Sequence, residues 1–296
     1  MEKRAVIYGA SGFIGGGLAG MLAGEGYEVT GVSRKGEGDV AGVSHWMKPG
    51  DVDFKGCDVV VNLAGAPIDQ RWTDAKKKEF HESRVGVTKD IVARISELPE
   101  DERPELLLNG SAVGIYGDRG DERLDESTSR GAGYLADLCA EWEAAANKAE
   151  ALGVRVIMFR IGVVLGRGGS AYEKLQKVFK AGIGGRLGDG RQWMPWIHVD
   201  DLRSAMIFAI NSETMFGPVN GTAPEPERNA DLSRKLAKAV GRWVFLPVPG
   251  IALKLVLGDF ASVLLAGQRA VPKKLEQAGF RFRFRKLEDA LDDLTA

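Results

Sequence analysis

The chain has 296 residues, 44% of them hydrophobic and 27% charged, and a formal net charge of -1. That near-neutral balance argues against a general nucleic-acid or membrane-surface role, and the length allows one large domain with a second, smaller lobe. The two cysteines, Cys57 and Cys139, lie far apart without metal-ligand spacing, as expected of thiols in a reducing compartment, so the expected location is cytoplasmic.

The apolar run Ala5-Val6-Ile7-Tyr8 predicts a strand, and Gly9-Ala-Ser-Gly12-Phe-Ile-Gly15 directly after it predicts a tight turn that opens a helix, closed by Gly24-Glu-Gly26. Glycines at this spacing let a backbone approach a pyrophosphate at a helix N-terminus. Gly9, Ser11, Gly12, Phe13, Ile14 and Gly15 are therefore candidate dinucleotide ligands. Seven glycines interrupt the uncharged stretch 5–24, which is not the continuous apolar block of a signal segment or a membrane anchor. Tyr27 to Ser33 predicts a second strand. An Asp or Glu at its end would bind the two ribose hydroxyls of NAD, whereas this chain offers Ser33-Arg34-Lys35. These are donors suited to a 2'-phosphate, so NADP(H) is the expected cofactor, with Ser33 and Arg34 as ligands.

Cys57 to Gly65 is a β-branched run typical of a parallel strand buried on both faces. Its end at Leu63, Ala64 and Gly65 leaves room for a cofactor. The segment 73–98 predicts a long helix with Phe80, Val87, Ile91 and Ile95 at helical spacing, and it carries the polar candidates Glu79 and Arg84. Leu106 to Ala112 predicts a strand, 135–152 a helix, and 154–165 a strand that includes Val164, a further cofactor candidate. This alternation implies an α/β doubly wound parallel sheet with ligands at the C-terminal ends of its strands. Beyond Gly166, glycine and basic residues crowd 182–191. Trp193 and Trp196 read as pocket walls or as core, and Asp200 and Asp201 as caps of a helix over 202–211. A short strand around 219–224 and a helix over 229–241 follow, and the period-two run Phe280 to Arg285 reads as a half-buried edge strand. The expected organisation is a dinucleotide-binding domain over 1–165 plus 199–216, interleaved with a smaller substrate lobe over 166–198 and 217–296.

Gly9 to Gly15, Asn62-Leu-Ala-Gly65, Ser111-Ala-Val-Gly-Ile-Tyr-Gly117, Arg160-Ile-Gly-Val-Val-Leu-Gly166 and Trp196-Ile-His-Val-Asp-Asp201 together resemble the successive motifs of extended short-chain dehydrogenases. Val219-Asn-Gly-Thr-Ala-Pro-Glu-Pro226, Gly267-Gln-Arg-Ala-Val-Pro-Lys273 and Ala278-Gly-Phe-Arg-Phe resemble one branch of them, the "epimerase family proteins". That branch appends a small C-terminal domain of unknown function, here 246–294. The resemblance spans essentially the whole chain. It implies a Rossmann fold that binds NADP(H), with Arg84 at a cofactor-facing position, a small-molecule substrate of unknown identity, and a homodimer through the helices 73–98 and 134–152.

The superfamily's usual acid is a Tyr with a Lys four residues later. Here Tyr8, Tyr27, Tyr116, Tyr134 and Tyr172 are followed four residues on by Gly12, Gly31, Gly120, Leu138 and Gln176, and Cys139 stands near the Lys place. Two classes of function follow. One is an oxidoreductase that reduces a small carbonyl or activated alkene with Ser111, Tyr116 or Tyr134 as catalytic hydroxyl. The other is a non-catalytic NADPH-binding sensor or interaction protein, and nucleotide-sugar epimerisation is a further alternative. Ser111 lies five residues before Tyr116, with Ala112 in the superfamily's place for the catalytic hydroxyl. His45, His81 and His198 show no metal-binding spacing, so no metal is expected.

Overall fold

The structure, a computed structural model, describes residues 3–243 and 247–296. It begins with β1 (Lys3–Tyr8), α1 (Phe13–Gly24), β2 (Tyr27–Val32), β3 (His45–Met47) and β4 (Val59–Asn62). A helical rod follows: α2 (Asp74–His81), one π turn over Glu82–Gly86, and α3 (Val87–Ser96). Then come β5 (Leu106–Ala112), β6 (Arg123–Leu124), α4 (Tyr134–Asn147), β7 (Arg155–Ile161), β8 (Val163–Leu165) and α5 (Ser170–Lys180). β9 (Trp193–Met194), β10 (Trp196–His198), α6 (Val199–Asn211), β11 (Gly217–Gly221), β12 (Glu227–Arg228) and α7 (Asn229–Ala239) lead to the C-terminal part. There α8 (Gly250–Leu257), α9 (Phe260–Leu265), β13 (Arg269–Ala270), α10 (Lys273–Gln277) and α11 (Leu287–Thr295) complete the chain.

Seven strands form one sheet in the order β11-β7-β5-β4-β1-β2-β3, and every pairing is parallel. The order reverses between β1 and β4, where such sheets bind ligands. Pairing of Tyr8 with both Val32 and Asn62 brings the Gly9 turn, Ser33 and Leu63 to one edge. The uniformly apolar strands are buried on both faces. Ala5, Ile7, Val59 and Val61 pack with α1 and α6, whereas Val6, Tyr8 and Val60 pack with α3 and with Ala146 of α4. No helix among the described residues is long and apolar enough to cross a membrane.

Four expectations change. Gly217–Gly221, placed by sequence in the smaller lobe, is the edge strand of the main sheet, paired with β7. The strand over 154–165 breaks at Gly162, where a Cβ would lie 2.6 Å from the Pro195 carbonyl oxygen, and its second half pairs with β10 instead. Phe280 to Arg285 is not a strand. Phe282 and Phe284 are buried and the arginines exposed, but the backbone N–H groups of Arg283 and Phe284 donate to the Asp201 carboxylate, at 2.9 and 2.8 Å. A side chain, not a neighbouring strand, holds this segment extended. Asp201 is thus unavailable as a cap, and the cap of α6 is His198, whose Nδ1 accepts from the Asp200 N–H.

Candidate functional site

The three glycines of the first turn do three different jobs. Gly9 has φ +81°, and a Cβ on it would stand 2.9 Å from the Leu63 carbonyl oxygen. Gly15 must be bare because a Cβ there would lie 2.3 Å from the Gly9 carbonyl oxygen, so α1 could not pack against the turn. Gly12 is the residue before α1, with ordinary extended backbone, and a Cβ on it would meet only the Gly9 oxygen, at 3.1 Å. It borders open space. No side chain caps α1 and no acidic residue occupies its first turn, leaving backbone N–H groups and the positive end of the helix for an anion. This cradle, which a Gly12 side chain would fill, fits a dinucleotide pyrophosphate. Ser11 is exposed beside it, and Ile14 is half-buried.

Around the cradle, the Ser33 hydroxyl donates to the Glu37 carbonyl (2.7 Å) and accepts the Glu37 N–H, closing a turn that carries Arg34 exposed. Arg34 has no ion-pair or hydrogen-bond partner among the described residues. Leu63 and Ala64 are half-buried, with the Ala64 N–H held by Asn62 Oδ1 at 3.2 Å. Gly65 is tight against Arg84, whose guanidinium carbon a Cβ would approach to 3.0 Å. Arg84 sits on the π turn, donates to the Ala66 carbonyl at 3.0 Å and lies over the Trp142 ring at 5.4 Å. No carboxylate pairs with it among the described residues, and burial lowers its pKa. Val164 is half-buried against the core on the α1 side of the sheet. Glu79, by contrast, pairs with Lys76 at 2.8 Å on an exposed helix surface.

Arg203 was not legible in the sequence. From α6 it donates to the carbonyls of Phe13 and Ile14 and lies over the Phe13 ring. It places a cation beside the cradle from 190 residues away, and no local pattern marks it.

The three candidate hydroxyls separate. Ser111 and Tyr116 are buried in one network: Ser111 Oγ donates to Glu143 Oε1 (2.7 Å), and Arg160 grips both oxygens of Glu143 at 2.8 and 2.9 Å. Arg160 also donates to the Tyr116 hydroxyl at 3.0 Å, which in turn lies 2.7 Å from Asn220 Oδ1. Burial raises the Tyr116 pKa. This network ties α4, β5, β7 and β11 together, with every named hydroxyl partnered. Tyr134 instead lies at the start of α4 and lines a cavity of about 390 Å³, together with Trp72, Leu135, Lys254, Val263 and Gln268. The wall formed by α8 and α9 comes from the last fifth of the chain. Tyr134 donates to the Lys77 carbonyl at 3.1 Å, packs edge-on to Trp72, and has the Lys77 ammonium 5.4 Å from its ring centre. Burial raises its pKa, while Lys77 and Arg84 pull the other way. Cys139 is buried and its thiol is pushed up to about 12, so it carries no charge in the Lys place. Trp196 is core, and Trp193 is stacked between Arg228 and Arg269, each 4.6 Å from its ring centre. Among the described residues no three His, Cys, Asp or Glu side chains converge to hold a metal.

Residues 5–219 match the NAD dependent epimerase/dehydratase family, and 248–294 match a domain of unknown function, DUF1731. The chain is 38% identical to the chloroplastic "Epimerase family protein SDR39U1 homolog" of Arabidopsis thaliana over 98% of this chain and 86% of that protein. It is also 38% identical to an epimerase family protein of Mycobacterium bovis, over 96% of this chain and 95% of that one. Among solved structures, human epimerase family protein SDR39U1 with NADPH superposes with a TM-score of 0.89 at 32% identity, covering 99% of both chains. UDP-glucuronic acid 4-epimerase of Bacillus cereus, at 17% identity and a TM-score of 0.77, shares the fold. The chain belongs to the NAD dependent epimerase/dehydratase family.

Proposed function

We propose that this protein binds NADP(H) along the β1–β4 edge and reduces a small carbonyl compound or activated alkene, with Tyr134 as the proton donor. The observation that carries the reading is the placement of Tyr134 on the cavity wall, while Ser111 and Tyr116 are sealed in the Glu143–Arg160 network. When bound, the cofactor supplies a hydride to the substrate carbon. The chain does the rest. The α1 N-terminus would hold the pyrophosphate and Arg34 the 2'-phosphate, with Arg84 behind Gly65 turned towards the bound cofactor. As negative charge develops on a substrate carbonyl oxygen, the Tyr134 hydroxyl gives up its proton to it. The charges of Lys77 and Arg84 favour the resulting phenolate, and solvent returns the proton.

Two outcomes are expected. Arg34→Ala weakens NADPH binding by about 1.5–3 kcal/mol, the range for a hydrogen bond to a charged group, and leaves NADH binding unchanged. Calorimetry with both cofactors checks this, and equal parent affinities for the two would contradict it. The rate of reduction stays level through neutral pH and falls only as the pH rises towards the Tyr134 pKa, which burial places above the usual value of about 10. A bell-shaped profile centred near neutrality would point to a different acid.

A second reading, NADPH as a ligand without turnover, is favoured by one feature: α4 carries Leu138 and a neutral Cys139 where the superfamily's lysine would stand. Tight NADPH binding with no reduction across a broad panel would establish it.

A further inference from the structure

The net charge of -1 conceals a strongly uneven distribution. Stretches 174–191 and 241–258 together contain seven Lys or Arg residues and one acid, Asp189. The fold lays these stretches side by side. Arg242 Nε donates to the Lys180 carbonyl at 3.1 Å, the Val248 N–H to the Arg186 carbonyl at 2.8 Å, and the Gly188 N–H to the Val248 carbonyl at 2.9 Å. Lys177, Lys180, Arg186, Arg242 and Lys254 are all exposed there, with no carboxylate bonded to any of them among the described residues.

The same side displays large apolar side chains that a monomeric protein would ordinarily bury. Trp243 is 79% exposed, Ile183 73%, Ile251 75%, Leu255 73% and Val256 72%. Helix α8 is responsible for three of them. Leu253 is the buried residue of this helix, while Ile251 and Leu255, four residues apart, share the outer face. Exposed cations beside protruding apolar side chains are the combination that draws a protein surface to anionic lipid, by electrostatic attraction together with shallow apolar burial.

We propose that this side of the molecule docks on the surface of an anionic lipid bilayer, with Trp243, Ile251 and Leu255 entering the headgroup region and the Lys and Arg side chains contacting lipid phosphates. Charge selects this occupant over a second copy of the chain. A twofold contact would set the same cations against themselves, whereas a bilayer carrying negative headgroups complements them. The depth involved is that of side chains, since α8 has eight residues and could not span a membrane. The proposal is independent of the redox reading.

The test is flotation of the full chain with vesicles of phosphatidylcholine alone or of phosphatidylcholine mixed with phosphatidylglycerol, at low and high salt. The expected result is capture by the phosphatidylglycerol vesicles only, weakened by salt. Two variants separate the contributions, Ile251→Ser/Leu255→Ser and Lys180→Glu/Arg186→Glu, and each should weaken capture by about tenfold or more. These residues are exposed, so an unchanged thermal midpoint controls for folding. A blue shift of tryptophan emission on vesicle binding, absent in Trp243→Phe, would locate the contact. Failure of the parent chain to float with phosphatidylglycerol vesicles at low salt overturns the proposal, and so does capture that the apolar variant leaves unchanged. Size-exclusion detecting a dimer that Ile251→Ser/Leu255→Ser dissociates, without vesicle capture, assigns the face to self-association and overturns it too.

Discussion

Gly12→Val is expected to abolish binding of NADPH and NADH while leaving the fold in place. Gly12 has φ -81°, so valine meets no left-handed backbone penalty there, and its Cβ touches only the Gly9 carbonyl oxygen at 3.1 Å. The rest of the side chain projects over the uncapped N–H groups of α1, in the space a pyrophosphate needs. Stability should therefore change by no more than about 1 kcal/mol, as for a site outside the packed core. Titration calorimetry shows the loss of binding, and an unchanged thermal midpoint of the apo protein shows that the loss is local. Gly15→Val is the contrasting case. Its Cβ would stand 2.3 Å from the Gly9 oxygen, so this variant fails by misfolding. Retained cofactor binding in Gly12→Val would mean that the phosphates lie elsewhere.

Glu143→Ala is expected to carry a large stability cost. Glu143 and Arg160 are both buried and joined by two hydrogen bonds, and removing the carboxylate leaves a guanidinium in the interior with only the Tyr116 hydroxyl and a backbone carbonyl as acceptors. Breaking a buried pair this way costs about 3–5 kcal/mol. The Ser111 hydroxyl loses its acceptor as well. Urea unfolding measures the effect, and the double replacement Glu143→Leu/Arg160→Met should recover most of it, because no charge is then left unpaired. A single variant within about 1 kcal/mol of the parent would show that water reaches Arg160 and the network is not sealed.

The part of the candidate site proposed to hold the cofactor was legible because its determinants are consecutive. The glycine turn, the donors after β2 and the small residues after β4 each lie within a few positions of a strand end, where a parallel sheet binds ligands. The cavity proposed to hold the substrate was not. Trp72, Tyr134, Lys254 and Gln268 meet only because α8 and α9 fold back over the start of α4, and no periodicity encodes that contact. Ser111 and Tyr116 looked catalytic by position, yet the residues that claim them, Glu143, Arg160 and Asn220, lie 32 to 104 residues away in sequence. The Phe280 to Arg285 alternation misled for a related reason. Period two reports extended backbone with one face buried, and the Asp201 carboxylate supplies the hydrogen bonds that a neighbouring strand would otherwise give. Net charge, a sum over the chain, says nothing about how charge is distributed, including on the side beside α8.

The most direct measurement is single-turnover oxidation of NADPH against a panel of carbonyl compounds and activated alkenes, run on the parent protein and on Tyr134→Phe. If Tyr134 is the proton donor, the parent consumes NADPH with at least one member of the panel. Tyr134→Phe then slows that step by about 10²–10⁴-fold with NADPH affinity unchanged, while Tyr116→Phe leaves the rate within a few-fold. Reduction by Tyr134→Phe at the parent's rate, or tight NADPH binding by the parent with no consumption across the panel, would contradict the assignment.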